Sequence, residues 1–287
     1  MKDNLTGETP GAKLRALLAR EGEVPSVLST VSALQAKVME LCGVECGFVG
    51  TALTVGNYTG FPDNGVASST ECLTIGGYIA RSVLFPVILD GDTGHGGIDA
   101  VQRLVTDSIR EGLAALRLDD QPIEDKRPSG ASGILVVDKE AAVARYRAAV
   151  DMRDKLDPSF VIMAQCYARD AVNGGLDDAC DRIRLYCDEA GVDWVQMEHA
   201  HSTEEILRAG RGISCYFSAP QGRMPQPLSL KEHAELGLAA AWYTFAPARF
   251  LVAEAYEFLQ DFRARGVGVW TEYLEEHRET FEKISRL

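Results

Sequence analysis

Residues 86–97 read PVILDGDTGHGG. An apolar run, Val87 to Leu89, leads into two acids one residue apart, Asp90 and Asp92, and then into a turn with glycines at 91, 94, 96 and 97. Acids so placed either cap a helix and shape a turn, or point together at a cation. The pattern recurs: LDDQ ends another apolar run at Asp119, DWVQME ends one at Glu198, and the loop GFPDNG carries Asp63. One D-x-D at a turn reads as capping chemistry, whereas acids at several run ends favour a shared pocket. Converging in a partly dry site, these carboxylates repel one another. A hard divalent ion such as Mg²⁺ relieves that, because it takes oxygen ligands, often only one or two carboxylates directly, and keeps waters. The glycines let the backbone turn tightly and leave room for metal-bound water and substrate.

Positioning acids from distant segments requires a repeated scaffold. Apolar segments at 24–28, 47–49, 86–90, 114–119, 160–165, 193–198, 213–218 and 238–245 alternate with helical patterns at 30–42, 69–82, 98–112, 139–155, 176–190, 202–210 and 229–236. Such alternation implies parallel strands with right-handed crossovers. Eight units in 287 residues predict an α/β fold, a (β/α)8 TIM barrel, whose chemistry gathers at the carboxyl ends of the strands. No G-x-G-x-x-G follows the first strand, which weakens a dinucleotide-binding reading. Two more helical segments, 246–264 and 267–284, make 246–287 a C-terminal extension of a single domain spanning 1–287.

Gross composition narrows the partners. A net charge of −13 disfavours nucleic acid and anionic membranes, because phosphates are repelled. No apolar run reaches the roughly 20 residues needed to span a bilayer, and MKDNLTGETPGAKL has no hydrophobic signal core. Seven scattered cysteines fit reduced thiols in a cytoplasmic protein, with Cys42 and Cys46 packed in the interior.

LDGDTGHGG, then LDDQ and KRPSG, resemble the D-x-D-T-G-[YH]-G turn, the E-D-[QK] strand end and the lid of the isocitrate lyase / phosphoenolpyruvate mutase superfamily. STVSALQAKVMELCG, GFPDNG, GLDDACDRIRLYCDEAGVD and PLSLKEHAELGLAAAWYTFAPARF extend the resemblance over roughly residues 15–255. It implies a barrel that exchanges a C-terminal helix within a homo-oligomer, a dimer or tetramer. It also implies Mg²⁺ (or Mn²⁺) and a small 2-oxo or 2-hydroxy carboxylate substrate. Carried over, Asp92 is the closest metal ligand, Asp90, Asp119 and Glu198 hold metal-bound waters, and Asp63 lies beside the reacting group. Gly50, Thr51 and Ala52 cradle a substrate carboxylate, with Asp90 beside them, and Lys126 to Gly130 form the lid.

The departures fall on the half that reads the substrate. Pro128 or Ser129 replaces the lid cysteine of the carbon–carbon lyases, and Glu124 or Lys126 takes a role the family gives to another residue. Gln165 stands where an arginine clamps the distal anionic group, and Arg169 is a replacement from the loop or a surface residue. Ser218 or Ala219 replaces an asparagine; His199 and His201 are acid/base candidates near the substrate; Arg249 matches a position after the eighth strand. The expected activity is cleavage or formation of a carbon–carbon bond next to a 2-oxo or 2-hydroxy carboxylate through a metal-stabilised enolate. The alternatives are a phosphoenolpyruvate mutase-like P–C bond enzyme, a 2-oxo acid decarboxylase, and a metal-binding barrel without turnover.

Overall fold

The computed structural model describes residues 7–287; the first six residues of the chain, which include the start of the segment read above for a signal core, lie outside it. Eight strands form one parallel sheet: β1 (Ser26–Ser29), β2 (Cys46–Val49), β3 (Val87–Asp90), β4 (Ala115–Asp119), β5 (Val161–Cys166), β6 (Trp194–Met197), β7 (Tyr216–Ser218) and β8 (Ala241–Tyr243). Their order is β7-β6-β5-β4-β3-β2-β1-β8. The Ala239 amide donates to the Phe217 carbonyl (2.7 Å), drawing the β7 and β8 edges together. The result is a nearly closed (β/α)8 barrel, as the alternation predicts.

Every residue of β2 through β6 is buried, because helices cover one face and the barrel interior the other. Two packed cores follow. The barrel axis is filled by Val27, Phe48, Ile88, Met163, Trp194 and Trp242, while a larger core lies between strands and helices. A helix absent from the sequence reading, Pro10–Leu18, adds Leu14, Leu17 and Leu18 to the axial core. Arg15 ties it to the β5 entrance through the carbonyls of Ser159 and Phe160. The eighth strand is shorter than read, three residues rather than the run 238–245, because Leu238 to Ala240 pack before the ladder with β1 begins.

The C-terminal extension comprises helices Ala248–Arg265, Val267–Glu276 and Arg278–Ile284, so the pattern at 267–284 is broken at His277. Phe250, Leu251, Tyr256, Leu259 and Trp270 are exposed along it. Two cysteine expectations change: Cys42 is exposed, and Cys187 and Cys215 are joined in a disulfide rather than being free thiols. Among the described residues no helix is long and apolar enough to cross a membrane.

Candidate active site

The carboxyl ends of the strands open into a cavity of about 460 Å³. Asp90 closes β3 and points inward, buried. Its carboxylate accepts from Arg117 Nη2 (2.8 Å), from the Thr51 hydroxyl (3.3 Å) and from the Asp92 amide (3.1 Å). Burial alone pushes this acid up, but the Arg117 and Lys126 charges more than offset it and hold the carboxyl below its ordinary range. Asp92, two residues on, adopts a left-handed backbone (φ 54°) and lies nearly covered. Burial, together with Asp90 and Asp63 and against the pull of Lys126, pushes it up to about 6. Asp119, at the end of β4, is raised well above its usual value by burial and by Asp92.

Two of the turn glycines are required by close packing. A Cβ on Gly91 meets Leu116 and Leu118 at 2.7 and 2.8 Å, and Gly94 combines φ 92° with a 2.5 Å approach to Val101. They let the turn press onto its own core, which fixes the two acids in place.

Lys126 is the cation of this cluster. Its ammonium pairs with Asp63 and lies 3.5 Å from Asp92 Oδ2, almost wholly buried. Burial disfavours the charge, yet Asp92, Asp63, Asp119 and Asp90 together raise its pKa above the ordinary lysine value. The single Thr51 hydroxyl proton is shared between Asp90 and the nearer Asp63 (2.9 Å), and Thr51 opens a wide turn, Thr51–Val55, after β2. Gly50, Thr51 and Ala52 line the cavity, as do Ser129, Gly130, Gln165, Glu198 and His199.

On the opposite wall, Glu198 accepts from Gln165 Nε2 (2.6 Å) and Gln196 Nε2 (2.5 Å). Gln165 also donates to the Tyr167 hydroxyl (3.0 Å), so it organises two wall residues while facing the cavity. Five residues named from the sequence lie outside the cavity lining. Glu124 is exposed in the short turn Ile123–Asp125, outside the cavity lining. Arg169 is held by Glu205 (2.8 and 2.6 Å) and Asp170. Ser218 is fully buried, accepting from Trp194 Nε1 (3.0 Å). His201 is exposed against Asp170, and Arg249 stacks over Phe245 (4.0 Å).

Arg117 joins the site without having been singled out by its spacing. It lines the cavity from the middle of β4, bonded to Asp90 and set over the rings of Phe48 (4.5 Å) and Trp242 (5.6 Å). Its signal was available: an arginine inside ALRLD, two residues before Asp119, shares that acid's inward face.

Among the described residues no three acidic, histidine or cysteine side chains converge tightly enough to enclose a metal by themselves. The donor set is all hard oxygen, and two of its acids are pushed up by burial and by neighbouring acids against the pull of Lys126. Residues of this kind fit a largely hydrated hard cation held by one or two carboxylates.

Known proteins share this architecture. The family model for phosphoenolpyruvate phosphomutase matches residues 14–262. An isocitrate lyase of Haloferax volcanii is 31% identical over 245 residues, 80% of this chain and 68% of that protein. A 2,3-dimethylmalate lyase of Eubacterium barkeri is 33% identical over 228 residues, 78% of this chain and 75% of that protein. The structure of oxaloacetate acetylhydrolase with the inhibitor 3,3-difluorooxalacetate superposes with a TM-score of 0.83 at 26% identity, covering 96% of this chain and 97% of that one.

Proposed function

The chain belongs to the phosphoenolpyruvate phosphomutase family, within the isocitrate lyase / phosphoenolpyruvate mutase superfamily, and on that premise we propose that it is a Mg²⁺-dependent carbon–carbon lyase acting next to a 2-oxo or 2-hydroxy carboxylate. The observation that carries this is the buried cluster of Asp63, Asp90, Asp92 and Asp119 around one lid ammonium, beside the cavity at the carboxyl ends of the strands. Asp92 is the carboxylate we assign to the metal directly, with Asp90, Asp119 and Glu198 holding its waters. When bound, the cation supplies Lewis-acid stabilisation where negative charge develops on the 2-oxo fragment.

The chain's own residues do the rest. Gly50, Thr51 and Ala52 border the substrate carboxylate, and Thr51 fixes Asp63 and Asp90 through its hydroxyl. Lys126, held firmly protonated by four carboxylates, is a poor proton donor and acts as a fixed positive charge beside the developing anion. Ser129 and Gly130 cover the cavity and exclude water. Glu124, exposed and outside the cavity, has no part in this scheme.

A P–C bond reaction is less well served. A phosphonate needs unpaired positive charge, whereas Arg117 and Lys126 are each committed to a carboxylate. The exposed apolar residues of the C-terminal helices support a homo-oligomer in which a neighbouring subunit covers them. The test is release of a 2-oxo acid from a panel of branched 2-hydroxy diacids with Mg²⁺ and with chelator. Mg²⁺-dependent release is expected. Binding of Mg²⁺ with no turnover on any substrate points to a barrel without catalysis, and turnover untouched by chelator removes the metal from the scheme.

A further inference from the structure

We infer that His199 is the catch that holds the lid closed, a positioning residue acting through the main chain of Ser129. This rests on the reading of residues 126–130 as the lid of the proposed lyase. The lid crosses the cavity mouth and is fastened at both ends. On the β3–β4 side, Lys126 reaches Asp63 and Asp92, and Gln121 makes a reciprocal pair with Arg127, amide to Oε1 and Nε2 to carbonyl, each 3.0 Å. On the far side the fastening is His199, whose Nε2–H donates to the Ser129 carbonyl at 2.6 Å.

The geometry of His199 suits that task. It follows directly after Glu198 at the end of β6, is buried, and adopts a left-handed backbone (φ 61°). Among the described residues only Asp92, His95 and His199 do so without being glycine, and all three sit in loops at the carboxyl end of the barrel. A left-handed non-glycine residue persists only where its surroundings over-determine it. Here the imidazole is wedged edge-on against Tyr167 (5.9 Å between ring centroids), with Nδ1 3.7 Å from Asp170. Asp170 in turn pairs with Arg169 and His201 and lies 3.9 Å from Arg223, so the loops after β5, β6 and β7 meet behind the catch. The lid thereby closes against a braced wall, and its position is set by a backbone carbonyl rather than by the identity of the Ser129 side chain.

The experiment is hydrogen exchange of the full chain, read by mass spectrometry across residues 126–131 and across β5 as a fold control. His199→Gly relieves the left-handed backbone and deletes the imidazole; His199→Asn keeps a residue that tolerates this backbone and retains an N–H donor. Lid exchange is expected to rise about fivefold or more in His199→Gly, the loss of one hydrogen bond, with His199→Asn between it and the native chain and β5 unchanged in both. Native lid exchange in both variants overturns the inference, as does acceleration of β5 to the same degree as the lid, which is general destabilisation. In the same variants, kcat is expected to fall by more than KM changes, since closure acts after binding. Absence of turnover by the native chain contradicts the proposed function and leaves the exchange result standing, so the two fail separately.

Discussion

The two walls of the cavity are built on different principles. The wall from β2 to β4 carries Asp63, Asp90 and Asp119, with Asp92 covered beside them, in a fixed lattice around Lys126 and Arg117, and the D-x-D turn is pressed onto its own core by Gly91 and Gly94. The wall from β5 to β8 carries Gln165, Tyr167, Gln196, Glu198, His199 and Trp242, a mixture of amides, hydroxyl, rings and one acid. The first can hold charge but distinguishes poorly among acids that share a 2-oxo or 2-hydroxy carboxylate. The second has the varied surface that selection among such substrates requires. Under the proposed function the acid wall carries the chemistry, and the opposite wall, Glu198 apart, selects the substrate.

The largest effect that can test this division is on the acid wall. Asp92→Ala is expected to weaken Mg²⁺ binding by more than about 100-fold, measured by calorimetry, and to abolish turnover. Undiminished affinity moves the metal elsewhere. Arg117 joins the walls, so Arg117→Met strands Asp90 as a buried unpaired charge. A loss of about 3–5 kcal/mol in urea unfolding is expected, with turnover falling alongside. A cost below about 1 kcal/mol shows that the pair is not structural.

A pH measurement sharpens the charge balance. In the metal-free chain Asp92 keeps its proton to about pH 6, whereas an unfolded aspartate releases it near 3.8. The folded state therefore binds the extra proton between those values, and stability falls as pH rises through that window. Asp92→Asn removes the loss, so above pH 6 the metal-free variant is expected to exceed the native chain by about 1–3 kcal/mol in thermal or urea unfolding. Equal stability at pH 5 and pH 8 in the native chain contradicts this. The smallest effect belongs outside both walls. Arg169→Ala breaks a partly exposed pair with Glu205 and is expected to cost less than about 1 kcal/mol, with KM changed by less than about twofold. A tenfold rise in KM places Arg169 at the substrate after all.

How far the sequence reaches follows the same division. Short apolar runs alternating with helical patterns locate all eight strands, because each βα unit buries a contiguous apolar segment whatever its neighbours do. The carboxylates follow from the rule that barrel chemistry lies at strand ends. What sequence spacing cannot supply is pairing across segments. Arg169 and Glu124 looked available for substrate because nothing local shows that Glu205 claims the first and that a short exposed turn carries the second. Ser218 sits on an inward strand position but one layer too deep, bonded to Trp194. Arg117 was legible as a charge in an apolar strand, yet its partner Asp90 lies on another strand. The helix Pro10–Leu18 escaped because its few apolar residues make sense only against the axial core that it completes.

The central claim is that the acid wall holds one hard divalent cation. Titration of Mn²⁺ into the chelator-treated chain, followed by the electron paramagnetic resonance signal of the free ion, tests it most directly. The account predicts one site per chain, displaced by Mg²⁺ and lost in Asp92→Ala. No Mn²⁺ uptake, or uptake unchanged by that substitution, contradicts it.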